Sequence, residues 1–298
     1  MTWGMLEESS GTEASGAVIA LMARNCRDAL KTNRDKVIQL ADYFGKASIV
    51  VVENDSTDGT KEELEDWQKQ DARVAVIARD GLFADGDRTS TNLSRIRRMA
   101  YYRNLYMEYA DRIRPDYLIV IDIDIDSFFP EEVLSAMRNA PADWSALFAN
   151  GRFYTRIPGK RLWGKYYDTF AFVPAGAEHY DLTFTEQRSA NDPVNRELED
   201  GVFLPCLSAF GGIGVYKWPL VEGRRYSAEK NARSGKLECL SEHISLNRSL
   251  AGKGKLYAAG SMRVMYQYQN PVRLLLGSAV SQSRLIAAAR AVGIKIPE

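Results

Sequence analysis

The chain has 298 residues, 45% hydrophobic and 26% charged, and its 39 Lys and Arg balance 39 Asp and Glu. That length allows one large α/β domain or two small ones, and a formal net charge of zero excludes bulk electrostatic attraction to nucleic acid, which needs a basic surplus. Cys26, Cys206 and Cys239 are odd in number and far apart, which excludes a disulfide framework or a closed zinc site and predicts buried, reduced thiols.

Residues 1–15 form a polar, acidic lead-in without the basic and apolar regions of a signal peptide. No apolar run reaches the roughly 18–20 residues that span a bilayer. Both features predict a cytoplasmic protein. Ala17 to Met22 is a short apolar run that predicts a strand, and a helical pattern follows from Arg27 to Phe44. Ser48 to Val52 predicts a second strand, stopped by the turn Glu53-Asn54-Asp55-Ser56-Thr57-Asp58-Gly59-Thr60. A helix over Lys61 to Gln70, a strand over Arg73 to Ile77, a loop over 80–91 and a helix over Asn92 to Arg112 come next. Tyr117 to Ile121 is a fourth buried strand, ending in Asp122. Continuous apolar strands separated by helices of this length predict βαβ units and a mostly parallel sheet covered on both faces.

Beyond residue 130 the pattern loosens. Strands are predicted over Ala146 to Asn150 and Lys165 to Val173, a long polar loop over 174–200, and a helix over 234–253. Residues 270–293 form a basic, partly amphipathic end piece. Its Arg273, Arg284 and Arg290, with Lys295 just beyond, alternate with Leu274, Leu275, Leu276, Leu285 and Ile286. This composition suits peripheral contact with the inner face of a membrane as well as packing on the domain. With no repeat or low-complexity linker, the predicted organisation is a lead-in over 1–15, one domain over 16–270 with halves at 16–130 and 131–270, and a helical tail over 271–298.

Asp122-Ile123-Asp124-Ile125-Asp126 directly follows a buried strand. Alternate side chains of an extended chain share a face, so the three carboxylates are expected to converge. Like charges at that spacing repel unless a cation lies among them, which suits Mg²⁺ or Mn²⁺; a solvated acidic strand end is the plain alternative. Glu53 ends the second strand, where an acid can accept hydrogen bonds from a base or ribose, and otherwise belongs to a generic turn and cap.

The combination of VVENDSTDGT, a helical Arg103-Asn104 and LIVIDIDID resembles the N-terminal half of family-2 glycosyltransferases of the GT-A fold. Those enzymes show an acid-terminated strand with S-x-D-x-T, a helical R-N, and a strand ending in D-x-D. RRMAYYRN together with ENDSTDGT is also similar to the Cap59-like mannosyltransferases of capsule synthesis. The resemblance covers residues 16–130 well and the remainder poorly. It implies a Rossmann-like, mostly parallel sheet flanked by helices, with a smaller mixed acceptor-side region. It also implies a metal-dependent hexosyltransferase that uses a GDP- or UDP-sugar donor and a glycan or lipid-linked saccharide acceptor.

Carried over by motif, Arg24, Glu53 and Asp55 would lie on the nucleotide side, and Arg103 would contact phosphate or brace carboxylates. Asp122 and Asp124 would be the metal-bridging pair, with Asp126 an extra acid that leaves open which two bind. Gly211 and Gly212, in Ser208 to Tyr216, would line the pocket where donor and acceptor meet; a plain bulge is the alternative. Glu238 and Glu242, four apart, are expected to share a helical face. The resemblance assigns Glu242 the catalytic or acceptor role and His243 a place on the metal. Inverting and retaining chemistry both remain open. A sugar nucleotidyltransferase would carry a glycine-rich loop where ALMARNCRDALKTN stands, and a non-catalytic sugar-nucleotide or glycan-binding protein is the second alternative.

Overall fold

The computed structural model describes residues 15–83 and 92–271. The first half alternates as the apolar runs predict: β1 (Gly16–Ala23), α1 (Arg27–Asp42), β2 (Lys46–Glu53), α2 (Thr60–Gln70), β3 (Val74–Ala78), α3 (Leu93–Ile113) and β4 (Tyr117–Asp122). There follow β5 (Ser127–Phe128), α4 (Pro130–Asn139), β6 (Trp144–Ile157), β7 (Lys160–Tyr166), β8 (Val173–Pro174) and α5 (Phe184–Glu197). The chain continues through β9 (Phe203–Ser208), β10 (Ile213–Lys217), α6 (Trp218–Val221), α7 (Glu242–Arg248) and β11 (Lys255–Tyr268).

These strands form one sheet in the order β3-β2-β1-β4-β10-β6-β11-β9-β8, with β5 paired to β11 and β7 to β6. β3, β2, β1 and β4 run parallel, and β10 enters antiparallel between β4 and β6. The parallel part has apolar cover on both sides. Val18, Ala20, Val50 and Val120 face one core with Ala100, Tyr106 and Ala110 of α3. Ile19, Leu21, Val51 and Ile121 face the other, with Leu30 and Val37 of α1, Trp67 of α2 and Val133 of α4. Strands buried on both faces have no polar side, which is why they read as unbroken apolar runs.

Three expectations in the second half are corrected. The supposed loop over 174–200 contains α5, started by a capping box in which Thr183 and Glu186 bond each other's backbone N–H. Of its described side chains only Ala190 and Val194 are buried, with Leu198 just past its end, too sparse to stand out in a polar stretch. The strand expected over Lys165 to Val173 ends at Tyr166, leaving residues 167–172 as a loop before β8. The helix expected over 234–253 is only α7, because Ser241 caps it by accepting from the His243 N–H. Glu238 therefore shares no helical face with Glu242; its carboxylate accepts from the Leu93 N–H at the start of α3. The predicted tail and most of the lead-in lie outside the described residues. Among those described, no helix is long and apolar enough to cross a membrane.

Trp67 is wholly enclosed between α2 and the sheet. Trp67→Ala is expected to cost about 3–5 kcal/mol of stability, read as a lower urea midpoint with the slope unchanged.

Candidate active site

The carboxyl ends of β1, β2 and β4 open on a cavity of about 590 Å³. Strand ends in an open α/β sheet present side chains there without blocking one another. The loop after β1 is set by the turn after β2. Ser56 Oγ, Thr60 Oγ1 and an Asp58 carboxylate oxygen accept the successive backbone N–H groups of Asn25, Cys26 and Arg27, each at 3.0 Å. Asn25 Oδ1 returns a bond by accepting from Thr57 N–H at 2.8 Å. The S-x-D-x-T segment is thus a clip that shapes the neighbouring loop and turns Arg24 into the cavity wall.

Two acids expected to meet the nucleotide are placed differently. Glu53 is 1% exposed, lies under the turn and accepts from Ser56 N–H at 2.9 Å. The cavity wall at this point is Asn54. Asp55 accepts from Gly81 N–H at 2.7 Å, which holds its carboxyl below the usual range and ties the end of β2 to the segment after β3.

The acid triplet does not converge. The extended chain ends at Asp122 and turns, so the alternation expected of a strand stops. Asn33 of α1 fixes the turn by donating to the Ile125 carbonyl at 2.7 Å, while Ile123 and Ile125 are buried in the core beneath. Asp122 and Asp124 line the cavity. Asp126 accepts from Tyr154 Oη at 3.0 Å and Tyr268 N–H at 2.8 Å, so it anchors the end of β11.

Arg103 is 2% exposed and lies between two of the acids. Its Nη2 donates to Asp122 Oδ1 at 3.1 Å and its Nε to Glu242 Oε1 at 3.0 Å. Tyr106 Oη accepts from Nη1, and the guanidinium carbon lies 5.2 Å from the Phe210 ring centre. Of the two roles expected of this arginine, the geometry matches bracing. Arg95 and Arg98, about two turns and about one and a half turns before it on the same helix, line the cavity with Arg24; Arg98 lies in the RRMAYYRN stretch, and no separate sequence signal marked Arg95.

Negative charge is crowded here. Enclosure by protein pushes Asp122 up to about 7 against the pull of Arg103, and Asp124 adds to the rise. Asp124 is raised for the same first reason, although its side chain is exposed to the open volume. Asp168, in the loop after β7, was not foreseen. It also lines the cavity, accepts from Gly211 N–H at 3.0 Å, and is raised by enclosure to about 6. Gly211 and Gly212 stand behind this wall and are not part of its lining. At φ +66 and against the Ala149 carbonyl, Gly211 has no room for a Cβ, and the Gly212 carbonyl accepts the Asp122 N–H at 3.0 Å.

His243 is 3% exposed, stacked on Phe210 at 3.8 Å between ring centres, with neither ring nitrogen hydrogen-bonded. Burial first, and then the Arg103 charge, hold it neutral by lowering its pKa well below the usual value. Among the described residues no three His, Cys, Asp or Glu side chains lie close enough to enclose a metal ion, so the expected set of Asp122, Asp124, Asp126 and His243 is not assembled. Two raised, mutually repelling carboxylates facing an open cavity still fit a hard cation of the Mg²⁺ or Mn²⁺ type. Such ions use one or two protein carboxylates and fill their other positions with water or phosphate oxygens.

Replacing Arg103 with Met would leave Glu242 and Asp122 without their shared cation. A loss of about 3–5 kcal/mol is expected, measured by denaturant unfolding at pH 7.5 and smaller at pH 5, where Asp122, raised to about 7, is protonated.

The profile of the Cryptococcal mannosyltransferase 1 family matches residues 17–216. No curated protein matches the chain. Among solved structures, a Pyrobaculum calidifontis mannosyltransferase in complex with GDP-Man and Mn²⁺ is 14% identical. It aligns with a TM-score of 0.47 over 95% of this chain and 66% of that one. TarS 1–349 from S. aureus is 11% identical, with a TM-score of 0.46 over 86% of this chain and 61% of that one. Glucosyl-3-phosphoglycerate synthase from Mycobacterium tuberculosis, in complex with Mn²⁺, UDP and phosphoglyceric acid, is 12% identical, with a TM-score of 0.44 over 95% and 80%. The chain thus spans less than two thirds of the Pyrobaculum and S. aureus chains. The family match runs from β1 into β10, through Arg103 and the acid-bearing end of β4 and over more than half of the 298 residues; the chain belongs to the Cryptococcal mannosyltransferase 1 family.

Proposed function

We propose that this glycosyltransferase moves a hexose, mannose by its family, from a nucleoside-diphosphate sugar to a hydroxyl of a carbohydrate acceptor, with a divalent cation at Asp122 and Asp124. One observation carries the proposal: two crowded carboxylates and three arginines, Arg24, Arg95 and Arg98, line the same cavity at the carboxyl ends of β1 and β4. Arginine forks suit phosphate oxygens, and the acid pair suits the cation that accompanies a diphosphate. When bound, the cation supplies positive charge that offsets the charge developing on the leaving diphosphate.

The chain's own groups divide the remaining work. Arg24, Arg95 and Arg98 would hold the phosphates. Arg103 orients Asp122 on the donor side and Glu242 on the acceptor side through one guanidinium. His243 is left out of the cation set; its neutral ring packs on Phe210 beside Glu242, with both ring nitrogens enclosed. The likeness to capsule mannosyltransferases supports a growing surface glycan or lipid-linked saccharide as acceptor.

Thermal melts against a panel of GDP- and UDP-sugars, with and without Mn²⁺, test this. One donor is expected to raise the melting temperature of the wild type only with metal. Asp124→Ala should lose that effect and slow transfer by about a hundredfold or more, as several kcal/mol of lost charge stabilisation implies. Absence of any nucleotide-sugar binding under every metal condition rules the transferase proposal out, and release of pyrophosphate from a nucleoside triphosphate supplied with a sugar 1-phosphate would point to nucleotidyl transfer.

The raised Asp122 also gives a pH signature. The folded chain holds a proton on Asp122 that the unfolded chain gives up above the ordinary value of 3.8, so its contribution to stability falls as pH rises from there through about 7. Neutral, buried His243 contributes the opposite slope below its ordinary value of 6.5, so wild-type melts alone mix the two. In metal-free buffer, the stability of Asp122→Asn relative to wild type should therefore improve from pH 5 to pH 8. A flat or falling difference in paired melts would contradict the raised carboxyl.

A further inference from the structure

The cavity extends across β4, and its far side has a different chemistry. Arg24 and Asn54 stand at the ends of β1 and β2, on one side of β4 in the strand order. On the other side lie the loop before β10, the segment bonded to β6, and β11. These contribute Asp168, Tyr167 and Tyr266 to the cavity wall. Tyr167 and Tyr266 stack with ring centres 3.6 Å apart and planes within 1°. Tyr167 N–H donates to the Gly151 carbonyl at 3.1 Å, and the Gly211 N–H holds one oxygen of Asp168, so the whole edge is fixed before any ligand arrives.

We infer that Asp168, Tyr167 and Tyr266 form the subsite for the acceptor, a neutral hexose glycoside that presents its hydroxyl to the donor side across β4. This rests on the transferase proposal above. A pyranose is amphipathic, with C–H faces and a rim of hydroxyl donors. Rigid aromatic surface suits the faces, and a carboxylate, which only accepts hydrogen bonds, suits the rim. A carboxylate has about four lone-pair sites; backbone N–H groups of Gly211 and Ala171 use two of them, and the group still borders the cavity. Glu242 is less free for this task, since Arg103 holds its Oε1. Asp168 is close enough to Asp122, Glu242 and Arg103 to feel their charges, which puts a hydroxyl bound there beside the centre where transfer is proposed. The size of the cavity also falls within the range of ligand sites, about 300–1,000 Å³.

Saturation-transfer NMR with methyl glycosides of mannose, glucose and galactose, in the presence of Mn²⁺ and GDP or UDP, tests the subsite. At least one glycoside is expected to bind the wild type, and Asp168→Asn and Tyr266→Leu should each weaken it by about tenfold or more, which is 1.4 kcal/mol. Asn keeps an acceptor for the Gly211 N–H, and a melting curve on each variant confirms folding. Affinity for the nucleoside diphosphate should stay within about twofold of wild type, since a tenfold parallel loss of 1.4 kcal/mol would mean general damage. The subsite is overturned if no glycoside binds the wild type, if both variants bind as wild type does, or if glycoside and nucleotide affinity fall together. Failure of the wild type to bind either nucleoside diphosphate sinks the transferase proposal instead, and the glycoside measurement still decides the subsite.

Discussion

A single guanidinium holds the site together. Arg103 comes from the middle of α3 and is enclosed between Asp122 at the end of β4 and Glu242 at the start of α7. Removing a charge from water is costly and is offset only by good geometry with full hydrogen bonding. Here both carboxylates, the Tyr106 hydroxyl and the faces of Phe210 and Tyr226 surround it. Because the same cation serves both acids, the parallel half and the second half of the chain are connected through a charged contact as well as by the sheet. Displacement of either acid changes the partner available to the other.

The loops around that contact are fixed by polar clips. Ser56, Asp58 and Thr60 take up three consecutive N–H groups of the β1–α1 loop, Asn33 pins the turn after β4, and Gly211 fits against the Ala149 carbonyl so that its N–H reaches Asp168. The clips at Cys26 and Ile125 satisfy buried backbone groups that would otherwise be unpaired. The acids are consequently crowded in the resting protein, with Asp122, Asp124 and Asp168 all raised mainly by enclosure. Sites that will bind cations commonly keep such an excess, since the bound ion relieves it.

Family membership and this geometry both support the transferase proposal. Arginines flank the acids on the side of β1 and α3, where a diphosphate would lie, and stacked tyrosines border them on the side of β11. β10, inserted antiparallel between β4 and β6, joins the parallel half to the mixed half and carries the glycine turn that shapes the middle of the wall.

The sequence by itself determined the parallel half. Strands buried on both faces must be continuously apolar, and helices between them must repeat every three or four residues, so β1 to β4 and α1 to α3 were legible near their true bounds. Asp122 and Asp124 stood out because motif and strand end coincide, and the fold brings both to one cavity with Arg103 and Glu242. Only the tertiary structure decided which acids meet. Asp126 left the set because the chain turns after Asp122, and local alternation cannot foretell a turn held by Asn33 from a distant helix. Glu53 read as a nucleotide contact yet is enclosed under its own turn, because burial depends on what packs above it. α5 was hidden because its described buried positions, Ala190 and Val194, are sparse, and Asp168 by lying in a loop with no periodic pattern. Its role follows from Gly211 and Tyr266, some 40 and 100 positions away, which the chain brings to it only when β10 and β11 take their places in the sheet.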